Sequence, residues 1–310
     1  MTGGAGFIGS HLCERLLSEG NEVYCLDNLI TGHRHNVAHL LPDGRFHFVL
    51  HDVVEQLAEE MDVEAIYHLA SPASPPDYLR HPVQTALANS QGTYRMLELA
   101  RKRAAKFLFA STSEAYGDPL EHPQREEYWG NVNPNGQRSC YDESKRFGEA
   151  LTFTYVREFG LDARIVRIFN TYGPRSDPED GRIVPNFVTQ ALRGDPITVY
   201  GDGQQTRSLC YVSDLVDGLV RAQGSAGTKG GVFNLGNPDE HTVLQFAEIV
   251  KRETGSSSPI TFRPLVTQDD PTRRKPDITR ARERLGWEPR VPLAEGLART
   301  IAWFKERLAT

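Results

Sequence analysis

Apolar residues in this chain recur with two periods, and the periods alternate. Short runs rich in β-branched and aromatic residues read as buried strands at 22–26, 46–50, 65–70, 106–110 and 163–168. Between them, apolar positions three and four apart read as helices. One opens with Ile8, Leu12, Leu16 and Leu17; one covers 82–103 through Val83, Ala86, Leu87, Met96, Leu97 and Leu99; one runs from Tyr141 to about Phe159. Strand–helix alternation on this scale predicts an α/β fold with a parallel, doubly wound sheet. The texture changes after the turn 170–175. Helices are expected over 184–192 and 243–252, short strands at 198–201, 209–212 and 232–235, a helix to Ala222 capped by Asp214, and a closing helix over 293–308.

The first helix is preceded by Gly3, Gly6 and Gly9, spaced Gly-x-x-Gly-x-x-Gly. Glycines there permit a tight turn and close backbone approach, and the helix N-terminus turns free N–H groups toward a pyrophosphate. Asp27 ends the following strand eighteen residues after Gly9, where an acid meets the adenosine ribose hydroxyls. Asp52, ending the next strand, is a candidate for the adenine. An acid at position 27 favours NAD over NADP, with Arg34 nearby as a contrary feature. A dinucleotide-binding sheet begins with a strand in front of this loop, yet here the loop starts at Met1-Thr2. The first strand is therefore expected to be missing, with the true start upstream or the chain a truncated form. Residues 1–172 and 209–237 are read as the NAD-binding domain, and 173–208 with 238–310 as a smaller substrate-binding domain.

Tyr141 and Lys145 stand four apart, on one face of a helix. A lysine ammonium close to a phenol favours the phenolate, so the pair can act as a base toward an alcohol while hydride leaves the same carbon. The stretch Ser111-Thr112-Ser113-Glu114 places hydroxyls and a carboxylate at the carboxyl end of a central strand, where α/β folds bind ligands. The proline loop Ser71–Tyr78 ends another such strand. Arg182, Arg207 and Arg274 are candidates for diphosphate or carboxylate recognition, because a guanidinium fork binds two oxygens. With 310 residues, 39% hydrophobic and 25% charged, the composition is that of a globular domain, and the net charge of −6 argues against nucleic acid or an anionic membrane as the main partner. Cys13, Cys25, Cys140 and Cys210 lack metal-ligand spacing and read as reduced thiols, which places the chain in the cytoplasm; no metal is expected.

These landmarks, in this order and spacing, resemble the extended short-chain dehydrogenase/reductase family, and the resemblance covers nearly the whole chain. Within it, the strings 68–76, 110–119, 128–130, 269–271 and 274–277 look like the UDP-glucuronate decarboxylases. The resemblance implies a Rossmann sheet, a homodimer built on the helices at 82–103 and 141–159 (Phe147, Leu151 and Tyr155 facing the seam), and NAD as a retained catalyst. It implies Tyr141, Lys145, Thr112, Glu114 and Arg274 as catalytic residues. Cofactor contacts are implied at Gly3, Gly6, Phe7, Ile8, Gly9, Asp27, Asn28, Asp52, Val53 and Leu69, besides Tyr141 and Lys145. Contacts to a UDP-sugar are implied at Ser74, Tyr78, Asn170, Arg182, Arg207 and Arg274. Sugar 4,6-dehydratases place an Asp before the Glu as a general acid; Ser113 cannot do that work. Epimerases usually lack the Glu, so Ser113-Glu114 favours decarboxylation. A decarboxylase that releases the 4-keto pentose, and a non-catalytic nucleotide sensor, are the remaining alternatives. The chain departs from the group at Gln84 and Leu87, where lysines are common, and at Ser144, often Gly.

Overall fold

The computed structural model describes residues 1–57, 61–265 and 271–309. From the amino end, helix α1 (Phe7–Ser18) precedes strands β1 (Val23–Asp27), β2 (Phe46–Leu50) and β3 (Ala65–His68). Helices α2 (Pro75–Arg80), α3 (Pro82–Leu87) and α4 (Thr93–Arg103) lead to β4 (Lys106–Thr112), and α5 (Ser139–Phe159) to β5 (Ala163–Ile168) and the short β6 (Thr171–Tyr172). The remainder runs α6 (Ile183–Arg193), β7 (Ile197–Tyr200), β8 (Thr206–Ser208), β9 (Cys210–Tyr211), α7 (Val212–Gly224), β10 (Val232–Leu235), β11 (Glu240–Thr242), α8 (Val243–Thr254), β12 (Ile260–Arg263), α9 (Thr279–Leu285) and α10 (Leu293–Leu308).

The central sheet has the parallel order β10-β5-β4-β3, and β1 pairs with β2 beside it. Thr2 joins the two parts: it bridges in parallel to His68 of β3 on one side and to Leu26 of β1 on the other. Its N–H donates to Tyr67 O at 3.0 Å, its carbonyl accepts from Leu69 N at 3.1 Å, and Gly3 N donates to Leu26 O at 2.8 Å. Met1-Thr2 thus pairs like a strand as it enters the glycine loop.

Alternation along β4 sorts its side chains between two layers. Phe107 and Phe109 pack with Met96, Leu97 and Ala100 of α4 and Tyr155 of α5, whereas Leu108 joins Leu12, Val166, Leu215 and Leu219 on the opposite face. A Cβ on Gly148 would lie 2.3 Å from the Phe109 ring. Glycine at that position lets α5 settle onto β4, which sets the height of Tyr141 and Lys145 above the strand. The helix stops at Gly160, whose φ of 61° no β-branched residue tolerates.

Three expectations need correction. The helix over 82–103 is interrupted by a π-type segment at Ala88–Gly92. The strand expected at 209–212 is only Cys210–Tyr211, separated by Leu209 from a strand at Thr206–Ser208, and Val212 opens α7. Asp214 does not cap that helix: it lies in the first turn, where its charge suits the dipole, and its Oδ2 accepts from Arg290 N at 2.9 Å and Val291 N at 2.8 Å.

Candidate active site

The carboxyl ends of β1, β3, β4 and β5 open onto one cavity of about 820 Å³. At its cofactor-like end, the turn from Gly3 to Gly9 has no room for side chains: a Cβ on Gly9 would lie 2.0 Å from Gly3 O, and one on Gly3 2.8 Å from Ala70 N. This concave backbone, closed by Phe7 and Ile8, fits a pyrophosphate at the start of α1. Asp27 is buried; its Oδ2 accepts from Ala5 N at 2.9 Å and its Oδ1 from Leu29 N at 2.8 Å. Burial raises its pKa, against the pull of those two N–H groups. Asn28 donates from Nδ2 to Asp52 Oδ2 at 3.0 Å, and Asp52, Val53 and Leu69 continue the wall.

Tyr141 and Lys145 project from α5 over β4. The Tyr141 phenol lies beside the Thr112 hydroxyl, which pulls its pKa down, and its ring stacks on Tyr78 with centroids 5.0 Å apart and planes 10° apart. Lys145 Nζ donates to Ala110 O at 2.8 Å and lies 5.9 Å from the centre of the Tyr141 ring. Burial pushes the Lys145 ammonium down to about 7, with Glu149 opposing. Burial also pushes the Tyr141 phenol up to about 12, against the Thr112 hydroxyl. The sequence-based expectation of a phenol lowered by Lys145 is not met in the chain by itself. Desolvation acts on both groups, and the ammonium is spent on the Ala110 carbonyl.

Glu114 sits in a one-turn 3₁₀ segment after Thr112. Its Oε2 accepts from Arg138 Nη2 and from Arg274 Nη2, the latter at 3.1 Å; Arg274 also donates to Ser113 O. Burial alone would raise the Glu114 pKa, but Arg138, Arg274 and Arg207 outweigh it and hold the carboxyl below its ordinary range. Asp142 behaves oppositely: burial and the Glu114 charge push it up to about 8. Arg182 is clasped by Asp180 through two bonds of 2.5 Å. Ser74 caps α2, accepting from Asp77 N at 3.3 Å, so part of its hydroxyl is occupied by the fold. Tyr78 Oη is buried with no hydrogen-bond partner among the described residues.

Every residue singled out from the sequence for cofactor, substrate or chemistry, including Asn170 and Arg207, lines this cavity. The string Asp269-Asp270 lies outside the described residues. The NAD dependent epimerase/dehydratase family model matches residues 1–236. The chain belongs to the NAD dependent epimerase/dehydratase family. It is 54% identical over 308 residues to UDP-glucuronic acid decarboxylase 1 of Arabidopsis thaliana, covering 99% of this chain and 70% of the relative. It superimposes on UDP-glucose 4-epimerase of Thermotoga maritima with UDP-glucose at a TM-score of 0.89 and 33% identity, covering 99% of this chain and 98% of that one. A UDP-glucuronic acid 4-epimerase of Bacillus cereus in complex with UDP-glucuronic acid and NAD matches at a TM-score of 0.88 and 29% identity, covering 99% and 98%.

This family member carries site residues that the sequence reading missed. Arg138 is one helical turn before Tyr141, a spacing that could have flagged it, and it reaches Glu114 across the cavity wall. Asp180, two residues before Arg182, was overlooked as its partner. Gln84 and Leu87 also line the cavity, and Ser144 ties α5 to the π segment by accepting from Asn89 Nδ2 at 3.0 Å.

Proposed function

We propose that this protein converts UDP-glucuronate to UDP-xylose and carbon dioxide, with NAD bound throughout and regenerated in each cycle. The observation that carries this reading is Glu114, half-buried just past the end of β4, clasped by Arg274 and sharing one cavity with Tyr141. Identity of 54% to a decarboxylase, against 33% to an epimerase, supports it. The unbranched cradle at Gly3 and Gly9 fits the cofactor's pyrophosphate, and Asp27 fits its ribose. When bound, NAD accepts a hydride from the sugar C4 and later returns it.

Tyr141 takes the proton of the C4 hydroxyl as the C4–H bond breaks, and Thr112 holds the same oxygen. Lys145 stabilises the phenolate and reaches the nicotinamide ribose. The C4 ketone makes the sugar a β-keto acid; its C5–carboxylate bond then breaks, carbon dioxide departs, and the electron pair remains as an enolate. Glu114 and Arg274 act at that carbon, and C5 takes up a proton. Tyr141 finally returns its proton to the C4 oxygen. Tyr78, Ser74, Asn170, Arg182 and Arg207 orient the sugar nucleotide.

Residues 1–172 with 209–237 form the cofactor domain in this reading, and the remainder the substrate domain. Half-exposed Val83, Tyr94 and Phe147 on α3, α4 and α5 support a homodimer; Tyr155 does not serve that seam, being buried and bonded to Glu98 at 2.6 Å. No helix among the described residues is long and apolar enough to cross a membrane, and four free cysteines support a cytoplasmic location. The test is to incubate the purified protein with UDP-glucuronate, with and without added NAD, following carbon dioxide and the sugar nucleotide by mass spectrometry. UDP-xylose without net NADH is expected. A 4-keto pentose with stoichiometric NADH moves the assignment to the oxidative version, and no carbon dioxide in either case refutes it.

A further inference from the structure

Helix α5 docks on β4 through three successive rungs. Residue 141 lies beside Thr112, while residue 145 bonds to Ala110 and residue 149 to Ser111. The first two belong to the chemistry already described. The third, Glu149, is buried and lines no part of the cavity. Its Oε1 accepts from Ser111 Oγ at 2.5 Å and from Arg167 Nε at 2.9 Å, and its Oε2 from Arg167 Nη2 at 2.7 Å. Ser111 and Arg167 face each other in register on β4 and β5. The Arg167 guanidinium lies 4.7 Å from the Tyr116 ring and donates to Glu126 O at 3.1 Å. The carboxylate is therefore gripped from two adjacent strands, one helical turn from Lys145.

We propose that Glu149 is a positioning residue for the reaction: pinned by Ser111 and Arg167, it fixes the register of Lys145 and holds its ammonium in the charged form. The role rests on the decarboxylase reading above, because Lys145 matters there through Tyr141. The reactive pair carries a phenolate and an ammonium together. A competing form with the same number of protons carries a phenol and a free amine. Burial drives Lys145 toward the amine, and Glu149 opposes it. The other groups facing Lys145 do not share that work. Tyr141 is neutral in the chain by itself, His68 on β3 is held uncharged by burial, and the strand atoms beneath Lys145 are the Ala110 carbonyl and the Phe109 ring. Arg167 stands behind Glu149 and carries the wrong sign. Each unit lost from the Lys145 pKa shifts tenfold of the population to the competing form.

The test compares wild type with Glu149→Gln, Glu149→Asp and the double variant Glu149→Gln/Arg167→Met, all loaded with NAD. Glu149→Gln is expected to lower kcat about fivefold at pH 7 and about tenfold at pH 8 and above, and to move the acidic limb of the kcat profile toward lower pH by about one unit, where the pair gives up its first proton. KM for UDP-glucuronate should stay within about threefold, because neither Glu149 nor Arg167 meets the cavity. Glu149→Asp keeps the charge and should return the limb toward wild type. The double variant removes the stranded guanidinium: melting temperature should recover while kcat and the limb stay displaced. Recovery of kcat together with melting temperature would show that Glu149 serves only to neutralise Arg167, and would overturn the proposal. So would an unmoved limb in Glu149→Gln. A wild-type protein that releases no carbon dioxide refutes instead the decarboxylase reading, and with it any role of Glu149 in that reaction.

Discussion

Two carboxylates flank the Tyr141–Lys145 pair, one half-buried and one buried, and they differ in where their partners come from. Glu149 is held by Ser111 and Arg167, neighbours on adjacent strands, and is sealed from the cavity. Glu114 is held by Arg138 at the start of α5 and Arg274 on a loop 160 residues away, and it lines the cavity. Partners on neighbouring strands move only if the sheet moves, so the first cluster is scaffold. Partners converging from remote segments meet where a ligand sits, and arginines there suit a diphosphate and a carboxylate. The pair of reacting groups is divided in a similar way: Tyr141 leans toward Tyr78 and Thr112, and Lys145, also on the cavity wall, leans down onto the strand, against Ala110 and Phe109.

The largest effect should come from the open side. Tyr141→Phe removes the proton-transferring oxygen and keeps the ring stacked on Tyr78. General acid–base groups contribute roughly 10²–10⁴-fold, and a loss on the order of 10³ in kcat is expected, with NAD affinity within a few-fold by titration. Residual activity above a tenth of wild type would take the base away from Tyr141. Next is Glu114→Gln, which keeps the shape but leaves Arg138 and Arg274 without that anion. Carbon dioxide release should slow by about 10² while NAD binding stays unchanged; an unaltered rate removes Glu114 from the mechanism and erases the contrast between the two carboxylates.

The strand side, where Lys145 and Glu149 meet β4, should show itself in stability as well as in turnover. Lys145 has a folded pKa of about 7, below its ordinary value near 10.4. Between those two values the unfolded chain holds a proton that the folded chain does not, so this group makes stability rise with pH. Below about 7 both states are protonated and the contribution stays flat. Lys145→Met has no such proton. Urea unfolding from pH 7 to 9.5 should therefore give wild type a steeper positive slope of unfolding free energy against pH than the variant. Equal slopes would mean that Lys145 is not desolvated.

How far this was legible in the sequence follows from distance along the chain. The glycine loop, Asp27, the 141/145 spacing and Ser111–Glu114 are local patterns, and the alternation of strands and helices set them at the carboxyl ends of a parallel sheet. What escaped depends on remote contacts. Arg138 reaches Glu114 only because α5 begins beside the turn after β4. Asp214 looked like a helix cap, yet its acceptors are used by residues 290 and 291, brought there by the chain after Trp287, whose Nε1 donates to Asp214 O at 2.8 Å. Strand β12 pairs with β7 across more than sixty residues, and the alternation of Ile260-Thr261-Phe262-Arg263 is only four residues long, too short to mark a strand by itself. The lowered phenol failed for another reason: the spacing of Tyr141 and Lys145 places charges but says nothing of their desolvation.

The smallest effect belongs to neither carboxylate and serves as their control. Helix α8 opens with a capping box: Thr242 Oγ1 accepts from Gln245 N at 3.1 Å, and Gln245 Oε1 accepts from Thr242 N at 2.8 Å. Two N–H groups without intrahelical partners are thereby satisfied at a helix packed through Val243, Phe246, Ala247 and Val250. Thr242→Ala removes one acceptor and keeps the backbone, at a cost of about 1 kcal/mol. Thr242 does not line the cavity, whereas its neighbour Val243 does. Chemical denaturation should therefore show the loss while kcat and its pH profile stay at wild-type values. If Thr242→Ala moved the acidic limb as far as Glu149→Gln, the limb would be reporting general loosening of the fold, and the distinction between the sealed carboxylate and the open one would lose its strongest test.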